Sequence, residues 1–343
     1  MPEKAPTIAD IARLAEVSPA TVSRVMNSSG YVGKATRLKV MDVIKTTGFV
    51  PNAAGRTMVT QQTKLIGLLI PTFENPVYLE ILKGTNDAAV EQGYSVVLGI
   101  EGEDDRTVGA AMLRLAALQV DGIIVAKPEY HTIDTVEQLR PFIARHLPIV
   151  QLGDRDPAND IDGITINDFE CGHAAGLHLA RLGHEACTLI GQPVNRFVKE
   201  RQEGFRKAYL DQRLPLTGLV VEEADFSRAG GADAALRALE ARPWTTAILA
   251  MNDIMAIGAI DAIEQTGRRI PEDIAVVGFD GIQLGALVRP RLTTIIFPTY
   301  DMGRRLFDLL HSRIDGSWKG ETRQVVFNGR LTVRESSLSA SIK

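Results

Sequence analysis

Residues 7–27 read TIADIARLAEVSPATVSRVMN. Ile8, Ile11, Ala12 and Ala15 recur at helical spacing, and Thr7 stands at an N-cap position with Asp10 three residues on to complete a capping box. The turn at Glu16-Val17 buries one apolar side chain. Ser18 then caps a second helix, and Pro19, which needs no N–H donor, fits its first position. Val22, Val25 and Met26 form the inward stripe of that helix and leave Pro19, Ala20, Thr21, Ser23, Arg24 and Asn27 nearer the outside. This is the arrangement of a helix-turn-helix. Hydroxyls and amides hold phosphates, a guanidinium takes guanine O6 and N7 together, and small apolar groups touch a thymine methyl, so the stretch predicts a DNA reader. The alternative is an ordinary amphipathic helical hairpin, against which the coincidence of the caps and turn with the polar-face chemistry counts.

Charge divides the chain in the same way. Residues 1–62 hold 8 Lys/Arg against 4 Asp/Glu, leaving 30 against 38 in the rest, so only the head suits a polyanion. The 343 residues, 45% of them hydrophobic, allow two or three domains with a sizeable core. MPEKAPTIAD has no apolar run of a secretory signal and no stretch is long enough to span a bilayer, so the expected compartment is the cytoplasm. Cys171 and Cys187 lack CxxC spacing and read as buried free thiols. His173, His178 and His184, five and six residues apart, share no helix face, so no metal is expected. No cofactor is expected either.

A third helix, about 34–46, is basic through Lys34, Arg37, Lys39 and Lys45 and stops at Gly48, closing a head over 1–50. Residues 51–64 read as a linker with helical leanings. From LIGLLI at Leu65 the chain alternates strands (YSVVLGI, GIIVA, PIVQL) with helices at 76–92, 105–118 and 134–145. A second run follows from GITIN through CTLIG, LVVEE, AILAM and IAVVGF, with helices at 169–182, 200–212, 228–241 and 253–266. The glycines of GHAAG and GAIDAIEQTG read as helix packing and caps. This pattern predicts an α/β body of two doubly wound lobes, and the elements after Pro290 return to both halves. The expected lobes are about 65–162 with 292–324, and about 163–291 with 325–337, before a tail at 338–343. A cleft is expected between them, at the carboxyl ends of the strands.

A head ending in TVSRVMN, then FVPNAAGRTM, then a two-lobed α/β body with GFD near its end closely resembles the lactose-repressor (LacI) family of bacterial transcription regulators. The resemblance covers nearly the whole chain. It implies a homodimer, or a dimer of dimers, on a near-palindromic operator, with a body like periplasmic sugar-binding proteins. No heptad-rich tail follows Glu335, which disfavours a tetramer built on a C-terminal coiled coil. By position it implies base contacts from Pro19, Ala20 and Arg24, phosphate contacts from Thr21, Ser23 and Asn27, and further backbone contacts from Tyr31 and Thr36, with Thr7 and Ser18 beside them. Asn52 to Thr60 matches the family's hinge helix, with Met58 at the minor-groove wedge position and Gly55 where Ala is common. Such a helix is unstable alone, so it is expected to fold only on DNA.

In the cleft the resemblance implies an effector held by Arg201, Phe226, Asn252 and Asp280 of the second lobe and, more loosely, Phe73, Tyr78, Asp154 and Arg155 of the first. Gly153 and Ile166 stand where relatives carry Asp. The alternative for Asn252 and Asp253 is that they cap the helix that begins there, and for Asp280 that it ends a strand. The expected function is a sequence-specific repressor switched by a sugar or sugar derivative, with a nucleobase or a protein co-repressor as the alternative. A solute-binding protein lacks a reason for the head. An enzyme would need a nucleophile–base pair, metal-ligand spacing or phosphate loop that the sequence does not carry.

Overall fold

A computed structural model of the chain describes residues 6–26, 29–49, 62–100, 108–126, 141–144, 146–153 and 161–338. The chain divides into two compact units, 1–63 and 64–343.

The first unit is three helices, α1 (Ile8–Leu14), α2 (Pro19–Met26) and α3 (Lys34–Thr47). Each boundary has a local cause. Thr7 and Asp10 form the capping box expected of them, and Gly48, at φ 62°, caps α3 by donating its N–H to the Ile44 carbonyl. Ile11, Ala12, Ala15, Val22, Val25, Val40 and Phe49 make the core. Ile8, at helical spacing with that core stripe, is 37% exposed.

The second unit carries two six-stranded sheets, and the expected α/β class is the one found. In the first sheet β1 (Leu65–Ile70), β2 (Ser95–Ile100), β3 (Gly122–Val125), β4 (Ile149–Leu152), β5 (Asp162–Ile166) and β11 (Gln324–Phe327) run in the order β11-β5-β4-β3-β1-β2, all parallel. In the second, β6 (Cys187–Ile190), β7 (Leu219–Glu222), β8 (Ala247–Ala250), β9 (Ala275–Asp280), β10 (Thr293–Ile296) and β12 (Arg330–Thr332) run β12-β10-β9-β8-β6-β7, with β12 antiparallel. Their continuous apolar runs reflect burial on both faces.

The helices are α4 (Val77–Glu91), α5 (Val108–Ala117), α6 (Asp168–Arg181), α7 (Arg196–Asp211), α8 (Arg228–Ala241), α9 (Asp253–Gln265) and α10 (Thr299–Ile314). The helix expected at 134–145 lies mostly outside the described residues, and α7 begins four residues earlier than expected, after Asn195. Three helix pairs approach until their backbones touch. A Cβ on Gly84 of α4 or Gly303 of α10 would fall under 3.0 Å from the partner helix's carbonyls, as would one on Gly172 of α6 and Gly204 of α7, or Gly231 of α8 and Gly258 of α9. GHAAG and GAIDAIEQTG therefore do serve helix packing.

The chain crosses between the sheets three times: after β5, after β10 and between β11 and β12. Each crossing lies a few residues C-terminal of the boundary expected from the sequence. The stretch VVFNGRLTV, which reads as one unit, is split by Asn328-Gly329 into strands of opposite sheets, and a Cβ on Gly329 would press on Ile295, Cys171 and Phe297.

Candidate functional site

In the head, the Ser18 hydroxyl accepts the Thr21 N–H at 3.1 Å and meets the Thr21 hydroxyl at 2.9 Å, which starts α2 with Pro19 in its first turn. Glu16 makes the turn with φ 53° and pairs with Lys39 at 2.7 Å. With Val22 and Val25 buried, Ser18, Pro19, Ala20 and Arg24 are exposed, and Thr21 and Ser23 half-buried. Thr7 is exposed, Thr36 half-buried, and Tyr31 stands 95% exposed. Asn27, Asn52, Gly55 and Met58 lie outside the described residues, as does the hinge segment as a whole.

The body holds a cavity of about 250 Å³ between its two sheets, at the carboxyl ends of the strands. Tyr78, Arg201, Phe226, Asn252 and Asp280 line it, as expected. Phe73 does not: it is 48% exposed and outside the wall. Its loop instead turns Asn75 inward, because the Asn75 Oδ1 accepts the Val77 N–H at 3.1 Å. Asp154 and Arg155 lie outside the described residues. Gly153 (φ 137°) and Ile166 do line the cavity, so the first lobe offers no carboxylate at those two places.

Arg201 reaches the cavity wall, but most of its nitrogens donate within the protein. It is 4% exposed; its Nε donates to Oδ1 of Asp168 at 2.7 Å and its Nη1 to the Met251 carbonyl at 2.6 Å. The rings of Phe279, Phe197 and Phe297 lie 4.3, 4.9 and 5.3 Å from its guanidinium carbon. Two of its three nitrogens are thus committed to the protein, and the close α6–α7 packing brings Asp168 to it. Asn252 is committed in a similar way: its Oδ1 caps α9 through the Met255 N–H at 2.7 Å, and its Nδ2 donates to the Phe226 carbonyl at 3.1 Å. The capping alternative therefore holds for Asn252, and that cap also fixes Phe226 in the wall.

Asp280 is different. It ends β9 at φ 104°, a conformation L residues rarely adopt, and its Oδ2 accepts from Asn75 Nδ2 of the other lobe at 2.9 Å. Burial pushes its carboxyl up to about 6 against the pull of Arg201 and Asn75, with Asp168 adding to the rise. Behind it, the fully buried Asp253 is also raised well above the carboxylate range, first by burial and then by the Asp280 charge. Asp253 accepts from Thr294 Oγ1 at 2.6 Å and the Ile282 N–H at 2.9 Å, so it braces the β9 turn.

The sequence reading missed Asn75, Asp168 and Phe197. Phe197 lies one turn before Arg201 on the same helix face, a spacing that points to it; its ring sits 5.6 Å from that of Phe226. Asn75 precedes a proline, a turn signal that marked the loop but not the direction of the side chain.

The geometry has counterparts among known proteins. Residues 7–52 match "Bacterial regulatory proteins, lacI family", and residues 177–337 a "Periplasmic binding protein-like domain". The HTH-type transcriptional repressor PurR of Mannheimia succiniciproducens is 35% identical over 335 residues, 96% of this chain and 98% of that one. The chain belongs to the lacI family of bacterial regulatory proteins. It is a DNA-binding transcriptional repressor of that family and not an enzyme. Among solved structures, the lac repressor dimer bound to operator and the anti-inducer ONPF is similar with TM-score 0.84 at 26% identity, covering 98% of this chain and 100% of that one. The transcriptional regulator CelR–cellobiose complex is similar with TM-score 0.71 at 30% identity, covering 97% and 100%. Among the described residues no helix is long and apolar enough to cross a membrane.

Proposed function

We propose that this repressor is switched by a sugar or sugar derivative bound in the cleft between its lobes, and that it acts in the cytoplasm as a homodimer on a near-palindromic operator. The observation that carries the effector reading is the cavity wall, where the paired rings of Phe197 and Phe226 stand in one wall with the Asp280 carboxylate. An aromatic face covers the C–H surface of a pyranose while a carboxylate accepts from its hydroxyls. The cellobiose in the CelR structure supports the same class. The alternative ligand is a nucleobase, which the same ring pair would stack.

On DNA, Pro19, Ala20 and Arg24 read bases while Ser18, Thr21, Ser23 and Asn27 hold phosphates, with Thr7, Tyr31 and Thr36 on the backbone beyond the helix. Asn52, Gly55 and Met58 belong to the hinge segment in the minor groove. Effector binding changes lobe closure and with it the paired hinge segments; coupling of about 1–3 kcal/mol is the usual scale of such a switch. Titration calorimetry of the full chain against a panel of mono- and disaccharides and, separately, purine and pyrimidine bases tests the effector class. A saccharide that binds the native chain and loses affinity with Asp280→Ala supports the reading. A base that binds while every saccharide is silent replaces it.

A further inference from the structure

The two ends of the Asn75 side chain serve different lobes. Its Oδ1 accepts the Val77 N–H at 3.1 Å, which anchors it to the start of α4, and its Nδ2 crosses the cleft to Oδ2 of Asp280 at 2.9 Å. Asp280 is in turn tied to a crossing between lobes, since its carbonyl accepts the Phe297 N–H at 3.4 Å just after β10. We propose that Asn75 is a positioning residue whose amide latches the first lobe to Asp280, setting the lobe separation without effector and orienting the carboxylate that the effector meets. A ligand donor that replaces the Asn75 amide at Oδ2 of Asp280 then releases the first lobe from the second. This rests on the reading of the cleft as the effector site.

Several charged groups face Asp280. They are Arg201 of α7, Asp168 of α6 and Asp253 of α9, with Glu74 next to Asn75 in the first lobe and Arg196 in the same cavity wall. Only Arg201 among the positive ones is shown to lower its pKa. A carboxylate introduced opposite Asp280 would therefore repel it near neutral pH and share a proton with it in acid.

The test is the distance between spin labels on Leu79→Cys of α4 and Val194→Cys after β6, positions 44% and 72% exposed, in full-length chain diluted with unlabelled chain. Cys171 and Cys187 are buried and stay unlabelled. With no effector present, Asn75→Ala shifts the distribution to longer and broader distances. Asn75→Asp keeps the oxygen that accepts the Val77 N–H, so its loop is preserved; it opens the lobes at pH 7.5 and lets them close again as pH falls through the range where Asp280 titrates. The Asn75→Ala chain shows no such return. Identical distributions for the three chains at pH 7.5, or an Asn75→Asp opening that acid does not reverse, overturn the latch. Because no sample contains an effector, loss of the latch leaves the calorimetric result standing, and a failed titration leaves the latch measurement standing.

Discussion

Gly204→Ala separates two opposed effects on stability. In an isolated helix the change is favourable by about 1 kcal/mol, because alanine loses less conformational freedom than glycine. In α7 the added Cβ would lie under 3.0 Å from the Phe169 carbonyl and the His173 amide of α6, against 3.4 Å or more for ordinary contact. Both obstacles are backbone, so no rotamer change relieves them and the helices must part. Overpacking of this kind costs about 1–3 kcal/mol, sometimes more. Parting the helices also stretches the 2.7 Å bond between Arg201 and Asp168, which lie one turn and one residue from the point of collision. Breaking a buried pair outright costs roughly 3–5 kcal/mol, and a stretched one some fraction of that. The clash outweighs propensity, and the expected net effect is destabilisation by about 1–4 kcal/mol. Urea unfolding of the full chain measures it, with Glu203→Ala, exposed and adjacent, as the control expected to stay within about 0.5 kcal/mol. A Gly204→Ala chain more stable than wild type by about 1 kcal/mol would refute the close approach of α6 and α7.

Arg24→Ala is expected to weaken operator binding by about 1–3 kcal/mol per half-site, read as an affinity ratio at fixed salt on a duplex recovered from a randomised pool. Asp162 has no exposed side-chain surface and accepts from Arg313 at 2.8 and 3.0 Å and from the Arg323 N–H at 2.7 Å, so Asp162→Asn is expected to cost about 3 kcal/mol in thermal or urea unfolding. The same carboxyl, though burial opposes it, is held below its ordinary pKa by Arg313 and Arg323, so its contribution is complete above the unfolded value and fades as pH falls through the folded one. Burial, with a smaller push from His184, lowers His178 from 6.5 to about 4. Its unfolded form therefore gains a proton first, and stability falls as pH drops from 6.5 toward 4, by at most about 3 kcal/mol before solvent screening reduces it. His178→Gln should flatten the unfolding free energy across that window.

What the sequence disclosed was local. The Thr7–Asp10 box, the Ser18-Pro19 start and the Gly48 stop involve residues within four positions of one another, and each is found as read. The strand and helix alternation was legible for a similar reason: burial on both faces writes continuous apolar runs. Partner choice across the fold was not legible. Arg201 was placed in the cleft correctly, but its commitment to Asp168, 33 residues away, and to the Met251 carbonyl, 50 away, follows from helix packing that no local spacing encodes. Phe73 and Asn75 are two residues apart in one loop, and an Asx turn decides which of them faces the cavity. The split of β11 from β12 was read a few residues early, at 324/325, although Asn328-Gly329 is itself a turn signal that marks the true crossing.

The glycine pairs bear on how a cleft ligand would be felt elsewhere. Gly84 with Gly303 joins α4 and α10 of the first lobe, Gly172 with Gly204 joins α6 and α7, and Gly231 with Gly258 joins α8 and α9 of the second, so each pair can separate only by losing close backbone packing. Deformation between the lobes is then left to the three crossings. One of these begins at Phe297, whose N–H is bonded to the Asp280 carbonyl, and another is confined at Gly329 by Ile295, Cys171 and Phe297. The backbone of the residue that carries the cavity carboxylate is thus one hydrogen bond from the part of the fold that can bend. If the cleft takes an effector at Asp280, the rigid lobes convert a small shift at that residue into rotation of one lobe against the other rather than absorbing it within either.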